Sequence, residues 1–90
     1  MWGIRWNALK SQILKITRGV SFEELIVGAK LLDIIQHPKR QEQRILVCEY
    51  RGYVWIVPCV IDEEGIFLKT LYPSRKYRKL YKKGAINEKN

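Results

Sequence analysis

Ninety residues are on the scale of one domain, which ordinarily takes on the order of 100 to 200, and they exclude two. A hydrophobic share of 47%, with three Trp, five Tyr and two Phe to bury, favours a folded globule over a disordered chain and implies a small core. A net charge of +8, from 17 Lys and Arg against 9 acids, favours a polyanionic partner: nucleic acid, an anionic membrane or an acidic protein.

At the N-terminus polar and apolar residues alternate without a long apolar stretch, so the segment does not read as a secretory signal. No run approaches the roughly 20 apolar residues of a membrane span, and the expected location is the cytoplasm. Between Asn7 and Thr17, Leu9, Ile13 and Ile16 recur at i, i+4 and i+7, with Asn7 as N-cap and Gly19 as stop. That spacing predicts a short amphipathic helix. Ser21-Phe22-Glu23-Glu24 is a capping box, and Val20 and Leu25 are placed to form the hydrophobic staple. A second helix should therefore start at Ser21, present Phe22, Leu25, Ile26 and Ala29, and pack on the first across a tight turn at Arg18-Gly19.

Leu31 to His37 reads as a first strand ended by Pro38. Arg44 to Tyr50 and Tyr53 to Ile61 are rich in Val, Ile, Tyr and Trp, and Arg51-Gly52 between them suits a two-residue hairpin. A turn at Asp62-Glu63-Glu64-Gly65 leads to a fourth strand, Ile66 to Tyr72. Pro58 has no N–H, so a bulge or unpaired position is expected beside it. If Tyr50 pairs with Tyr53, Cys48 faces Trp55 and Arg44 faces Cys59, which sets the two cysteines roughly 13 Å apart, too far to bridge. One face then carries Leu46, Cys48, Tyr50, Tyr53, Trp55, Val57, Cys59, Leu68, Thr70 and Tyr72. The other carries Val47, Glu49, Val54, Ile56, Val60, Phe67, Lys69 and Leu71. Both faces are largely apolar and both need cover. The N-terminal helices suit one; a C-terminal helix, a partner or both must take the other. The expected fold is α+β: a single domain over residues 1–90, with two N-terminal helices on a four-stranded antiparallel sheet and a basic C-terminal helix.

That last helix has Ser74 at its N-cap and Gly84 at its stop. The stretch from Lys69 to Lys83 holds Lys69, Arg75, Lys76, Arg78, Lys79, Lys82 and Lys83 and no acid, so it carries +7 of the +8. Tyr77, Leu80 and Tyr81 form a narrow apolar stripe among these cations. Either the helix binds phosphates while the tyrosines stack on unpaired bases, or it is a solvated basic helix docked by its stripe.

Tyr72, Ser74, Arg75 and Lys76 cluster where a strand ends and this helix begins, and the free amides of the first helical turn add positive potential there. Metal-independent RNA cleavage needs a deprotonated 2′-hydroxyl, a stabilised phosphorane and a protonated leaving oxygen. Arg75 fits the stabilising role, and Lys76 or Tyr72 the proton exchange. The alternative is that Tyr72 is core and Ser74 only a cap. His37 is the single histidine, and as a residue that titrates near neutrality it is a candidate general acid or base, or else a structural or solvated loop residue. Arg40 and Arg44 nearby are further phosphate-binding candidates. One His and two separated Cys exclude a structural zinc site, and no cofactor is expected. Neither standard Gly-rich phosphate loop occurs. Asp62, Glu63 and Glu64 read as a solvated turn, and Trp2, Trp6 and Trp55 as core or interface.

Trp6-Asn7, Arg18-Gly19-Val20-Ser21-Phe22-Glu23-Glu24 and a strand meander closing in Pro73-Ser74-Arg75-Lys76 together resemble, by order and spacing over roughly residues 4–83, the BrnT-like toxins of type II toxin–antitoxin systems, in the wider RelE/ParE-like superfamily. The resemblance implies metal-independent RNA cleavage that arrests translation, with RNA, including ribosome-associated messenger RNA, and an antitoxin as partners, and no membrane. It carries Arg75 and Lys76 over as site residues. The chain departs from the family in having Arg18-Gly19 where His-Gly is typical and Pro73-Ser74-Arg75 where Ser-Ala-Arg is typical, and Glu63 or Glu64 stands where an Arg is usual. The antitoxin is expected to cover the cationic site and the remaining sheet face. Competing functions are a non-catalytic nucleic-acid-binding module and a ParE-like topoisomerase inhibitor.

Overall fold

The computed structural model describes residues 3–88, with side chains for residues 3–81. In chain order these form β1 (Gly3–Trp6), α1 (Ala8–Arg18), α2 (Phe22–Gly28), β2 (Lys30–Gln36), β3 (Gln43–Tyr50), β4 (Tyr53–Asp62), β5 (Gly65–Leu68), β6 (Tyr72–Pro73) and α3 (Arg75–Glu88). Trp2 lies outside the described residues.

Both N-terminal helices start where short-range signals place them. The Asn7 side chain accepts the Lys10 N–H at 2.9 Å, and Gly19 ends α1 at φ 85°, a left-handed conformation that glycine adopts without steric cost. Ser21 caps α2, with both bonds of the capping box formed, and Val20 and Leu25 are buried. The face of α1 differs from the expected one. Leu9, Ile13 and Ile16 point to solvent, Ile16 with 83% of its surface exposed, and Ser11 and Leu14 turn inward. Hydrogen bonding sets this orientation. The Ser11 hydroxyl accepts the Phe22 N–H at 2.9 Å and donates to the Glu23 carboxylate, so one polar residue orients the helix against three exposed apolar ones. Ile26 of α2, expected inside, is also exposed.

The sheet is six-stranded and mixed, where four antiparallel strands were expected. Its order is β1-β5-β4-β3-β2, with β6 paired to β4. The antiparallel run from β2 to β5 follows the predicted meander, and the pairs Tyr50↔Tyr53, Cys48↔Trp55 and Arg44↔Cys59 form. Arg51 at φ 51° and Gly52 at φ 80° are both left-handed, the pattern that lets a two-residue turn follow strand twist. Two strands are additions. The alternating N-terminal residues form β1, which runs parallel to β5 with Gly3 opposite Gly65 and Trp6 opposite Leu68. The expected last strand is split: between Cys59↔Leu68 and Ile56↔Tyr72 the register slips by one residue. The slip lies beside Pro58, whose carbonyl accepts the Lys69 N–H at 2.9 Å and which offers no N–H in return.

That slip exchanges faces. Leu71, expected with Val54 and Ile56, is fully buried with Trp55, Val57 and Cys59, and Tyr72 moves to the Ile56 face. The helices α1 and α2 cover the first of these faces through Leu14, Phe22 and Leu25. Trp6 packs on Phe22 with ring centroids 6.2 Å apart. The opposite face, with Ile45, Val47, Val54 and Ile56, receives Tyr77 and Tyr81 of α3 and so needs no further cover there. The helix α3 continues beyond Gly84, its expected stop, to Glu88. An interior glycine costs a helix only about 1 kcal/mol and does not by itself end one.

Cys48 and Cys59 are free and buried. Burial pushes the Cys48 thiol up to about 11 and raises Cys59 as well, so neither is a thiolate at neutral pH. Neither should react with a thiol reagent at pH 7 until the protein unfolds, and labelling should rise at the denaturant concentration where circular dichroism is lost. Labelling of the folded protein would show instead that β3 and β4 open locally. Among the described residues no helix is long and apolar enough to cross a membrane.

Candidate nucleic-acid interface

At the β6-to-α3 junction the Ser74 N–H donates to the Val54 carbonyl at 3.0 Å, and the Ser74 hydroxyl accepts the Tyr77 N–H at 3.2 Å. Ser74 is thus tied to the sheet and caps the helix at once. This fixes Arg75 and Lys76 in the first turn and Arg78 in the next. Arg75 lines an open depression of about 330 Å³ together with Tyr53, Trp55 and Pro73. The Arg78 guanidinium lies over the Tyr53 ring, 4.8 Å from its centroid, and the Lys76 ammonium lies 5.5 Å from the Tyr77 centroid. At the neighbouring hairpin Arg51 lies 5.1 Å from the Tyr50 ring.

Among the described residues the charge at this junction is uncompensated. Among the described residues the ion pairs are Arg5 with Asp62 and Glu64, and Lys15 with Glu24. Lys69, Arg75, Lys76, Arg78 and Lys79 have no carboxylate within ion-pairing distance there. The first-turn amides of α3 add to the same positive potential. Cations on a capped helix start beside aromatic rings can hold phosphate groups and stabilise negative charge developing on them.

The remaining candidates are dispersed. Tyr72 is exposed but shares the Ile56 face rather than the Trp55 face that lines the depression. Lys69 is exposed in the bulge opposite Pro58, and Lys79 is exposed on α3. Lys82 and Lys83 lie on α3 but their side chains are outside the described residues. His37, Arg40 and Arg44 gather at the β2-to-β3 turn, three strand spacings and four residues from Pro73, about 20 Å at ordinary sheet dimensions. The His37 Nδ1 accepts the backbone N–H groups of Lys39 and Arg40 at 3.1 and 3.2 Å, so this histidine organises its own turn. Arg44 donates to the carbonyls of Gln41 and Gln43 in that turn.

Two tyrosines read either as stacking residues or as a docking stripe are committed to packing. Tyr77 and Tyr81 lie against the sheet, and the Tyr81 hydroxyl donates to Asp33 at 2.8 Å; burial, then the Asp33 bond, pushes it up to about 12. Tyr53 and Trp55 were not anticipated beside Arg75. Strand alternation places them on one face, but the pairing of Trp55 with Pro73 depends on the bulge. The acidic turn is structural: Asp62 accepts the Glu64 and Gly65 N–H groups and pairs with Arg5, and the Glu64 bond leads in holding its carboxyl below the usual range. Among the described residues no three His, Cys, Asp or Glu side chains gather as a metal-binding set. Comparison of the chain with protein-family models, curated proteins and solved structures finds no match.

Proposed function

We propose that this chain is the cytoplasmic toxin of a type II toxin–antitoxin pair, a metal-independent endoribonuclease that inhibits translation until its antitoxin covers the β6-to-α3 junction. The observation that carries the reading is the cluster of Arg75, Lys76 and Arg78 at a capped helix start, without carboxylate partners among the described residues and beside exposed aromatic surface. In the reaction the 2′-hydroxyl oxygen attacks the adjacent phosphorus and the bond from phosphorus to the leaving oxygen breaks; Arg75 stabilises the phosphorane and Lys76 exchanges protons with the attacking and leaving oxygens, while Tyr72, on the Ile56 face away from Arg75, takes no part. His37 has no part in this scheme, because it sits at the other end of the sheet.

Induced expression in a bacterial host should stop growth and deplete messenger RNA, and the Arg75→Ala, Lys76→Ala double variant should grow normally while keeping its circular dichroism. A folded double variant that remains toxic removes the junction from the mechanism. The remoteness of the histidine favours one second reading, a single-strand-binding module without cleavage. Its signature is RNA that is bound with steep salt dependence and recovered intact. DNA damage with intact messenger RNA would point instead to a topoisomerase inhibitor.

A further inference from the structure

We infer that Tyr53 is the stacking platform for one unpaired base of a single-stranded RNA whose adjoining phosphate is held by Arg75, an inference that rests on the polynucleotide reading above. Tyr53 opens β4 with 48% of its surface exposed, whereas Trp55, two residues along on the same face, keeps 7%. A large aromatic ring is left at the outer end of a row whose next three members, Trp55, Val57 and Cys59, are buried. Arg78 backs this ring and has no carboxylate partner among the described residues, so the stack fixes the ring's orientation before any ligand arrives. Tyr53 and Arg75 line the same depression, whose volume of about 330 Å³ is at the low end for small-ligand sites and suits one nucleotide unit rather than a duplex.

The tyrosines of α3 and β6 are ruled out by position. Tyr77 and Tyr81 are packed on the sheet, and Tyr72 is on the opposite sheet face. An aromatic face beside a phosphate-binding cation is the arrangement by which proteins hold single strands, since every base offers a π-face and every linkage a charge. The depression also has an indole wall whose Nε1–H finds no acceptor among the described residues, which is uncommon for a buried donor.

The test uses the full chain and two probes: a labelled 2′-O-methyl RNA oligonucleotide, which cannot be cleaved through its own 2′-oxygen, and inorganic polyphosphate, which has charge but no bases. Tyr53→Leu should weaken the RNA complex about tenfold, within the range of one lost base stack, and leave polyphosphate binding unchanged. Its plot of log affinity against log salt should keep the parent slope, whereas Arg75→Ala should flatten it by about one phosphate contact. Tyr53→Phe should bind like the parent. Equal RNA affinity in Tyr53→Leu, or equal loss for RNA and polyphosphate, overturns the stacking role while leaving the cationic grip standing. A parent protein that binds neither probe overturns the polynucleotide reading itself.

Discussion

Gly65→Ala is expected to lower the melting temperature by roughly 10–25 °C, the shift that a loss of about 3 kcal/mol produces in a domain of this size. Gly65 sits at φ 132°, where side chains are disfavoured, and a Cβ there would lie 1.9 Å from the Gly3 carbonyl oxygen and 2.6 Å from the Gly3 nitrogen. Those atoms are the backbone of β1, so no rotamer change relieves the clash. The strand has to leave, and with it go the parallel ladder to β5, the Arg5 pairs with Asp62 and Glu64, and the packing of Trp6 on Phe22. The reciprocal change, Gly3→Ala, meets nothing within 4 Å and should melt close to the parent. Equal melting of the two variants would mean that β1 is not seated beside Gly65.

The second large effect is expected at Ser11→Ala, a loss of about 1–3 kcal/mol. Ser11 is buried, and its hydroxyl serves both the Phe22 N–H and the Glu23 carboxylate, which also accepts the Trp6 indole N–H at 3.0 Å. Alanine leaves the Phe22 amide at the start of α2 without this acceptor and releases α1 from α2. The change should also be visible in the pH profile. The Ser11 hydrogen bond leads in holding the Glu23 carboxyl below its ordinary 4.5, with the Glu23 backbone amide and Trp6 adding to it. A carboxyl depressed in the folded state contributes stability that is present above the unfolded value and is lost as pH falls through the folded one. The parent should therefore lose stability below about pH 4.5, and Ser11→Ala should show a shallower loss over that window. Glu24, held low first by Lys15, and Asp62 contribute in the same direction in both proteins, which leaves a residual slope. Identical denaturation midpoints and identical acid limbs would show that Ser11 does not join the helices.

Much of the scaffold was legible because its signals span only a few residues. Asn7, Ser21 and Ser74 each cap through a bond to an amide three residues on, and Arg51-Gly52 turns through its own two backbone conformations. Such features require no partner from elsewhere in the chain. The face of α1 was misread because apolar spacing counts side chains and is blind to a serine whose two bonding partners lie 11 and 12 residues away. Of the two readings of the tyrosine stripe, docking rather than base stacking is the one formed, for a related reason. Tyr77 and Tyr81 occupy the basic helix in sequence, but α3 must cover Ile45, Val47, Val54 and Ile56, and that burial consumes them.

By itself the sequence determined the three helices, the antiparallel meander with its hairpin register, and the concentration of positive charge after residue 68, because each is written in neighbouring residues or in plain composition. Tertiary structure alone decided the parallel N-terminal strand, which joins residues about sixty positions apart, and the one-residue slip beside Pro58 that sends Leu71 inward and brings Pro73 against Trp55. That slip also set Arg75 beside Tyr53, while the pairing of β2 with β3 put His37 at the far end of the sheet. The physical reason is that strand pairing couples distant residues through a ladder whose register a single missing N–H can shift, and each shift reassigns every side chain beyond it to the opposite face.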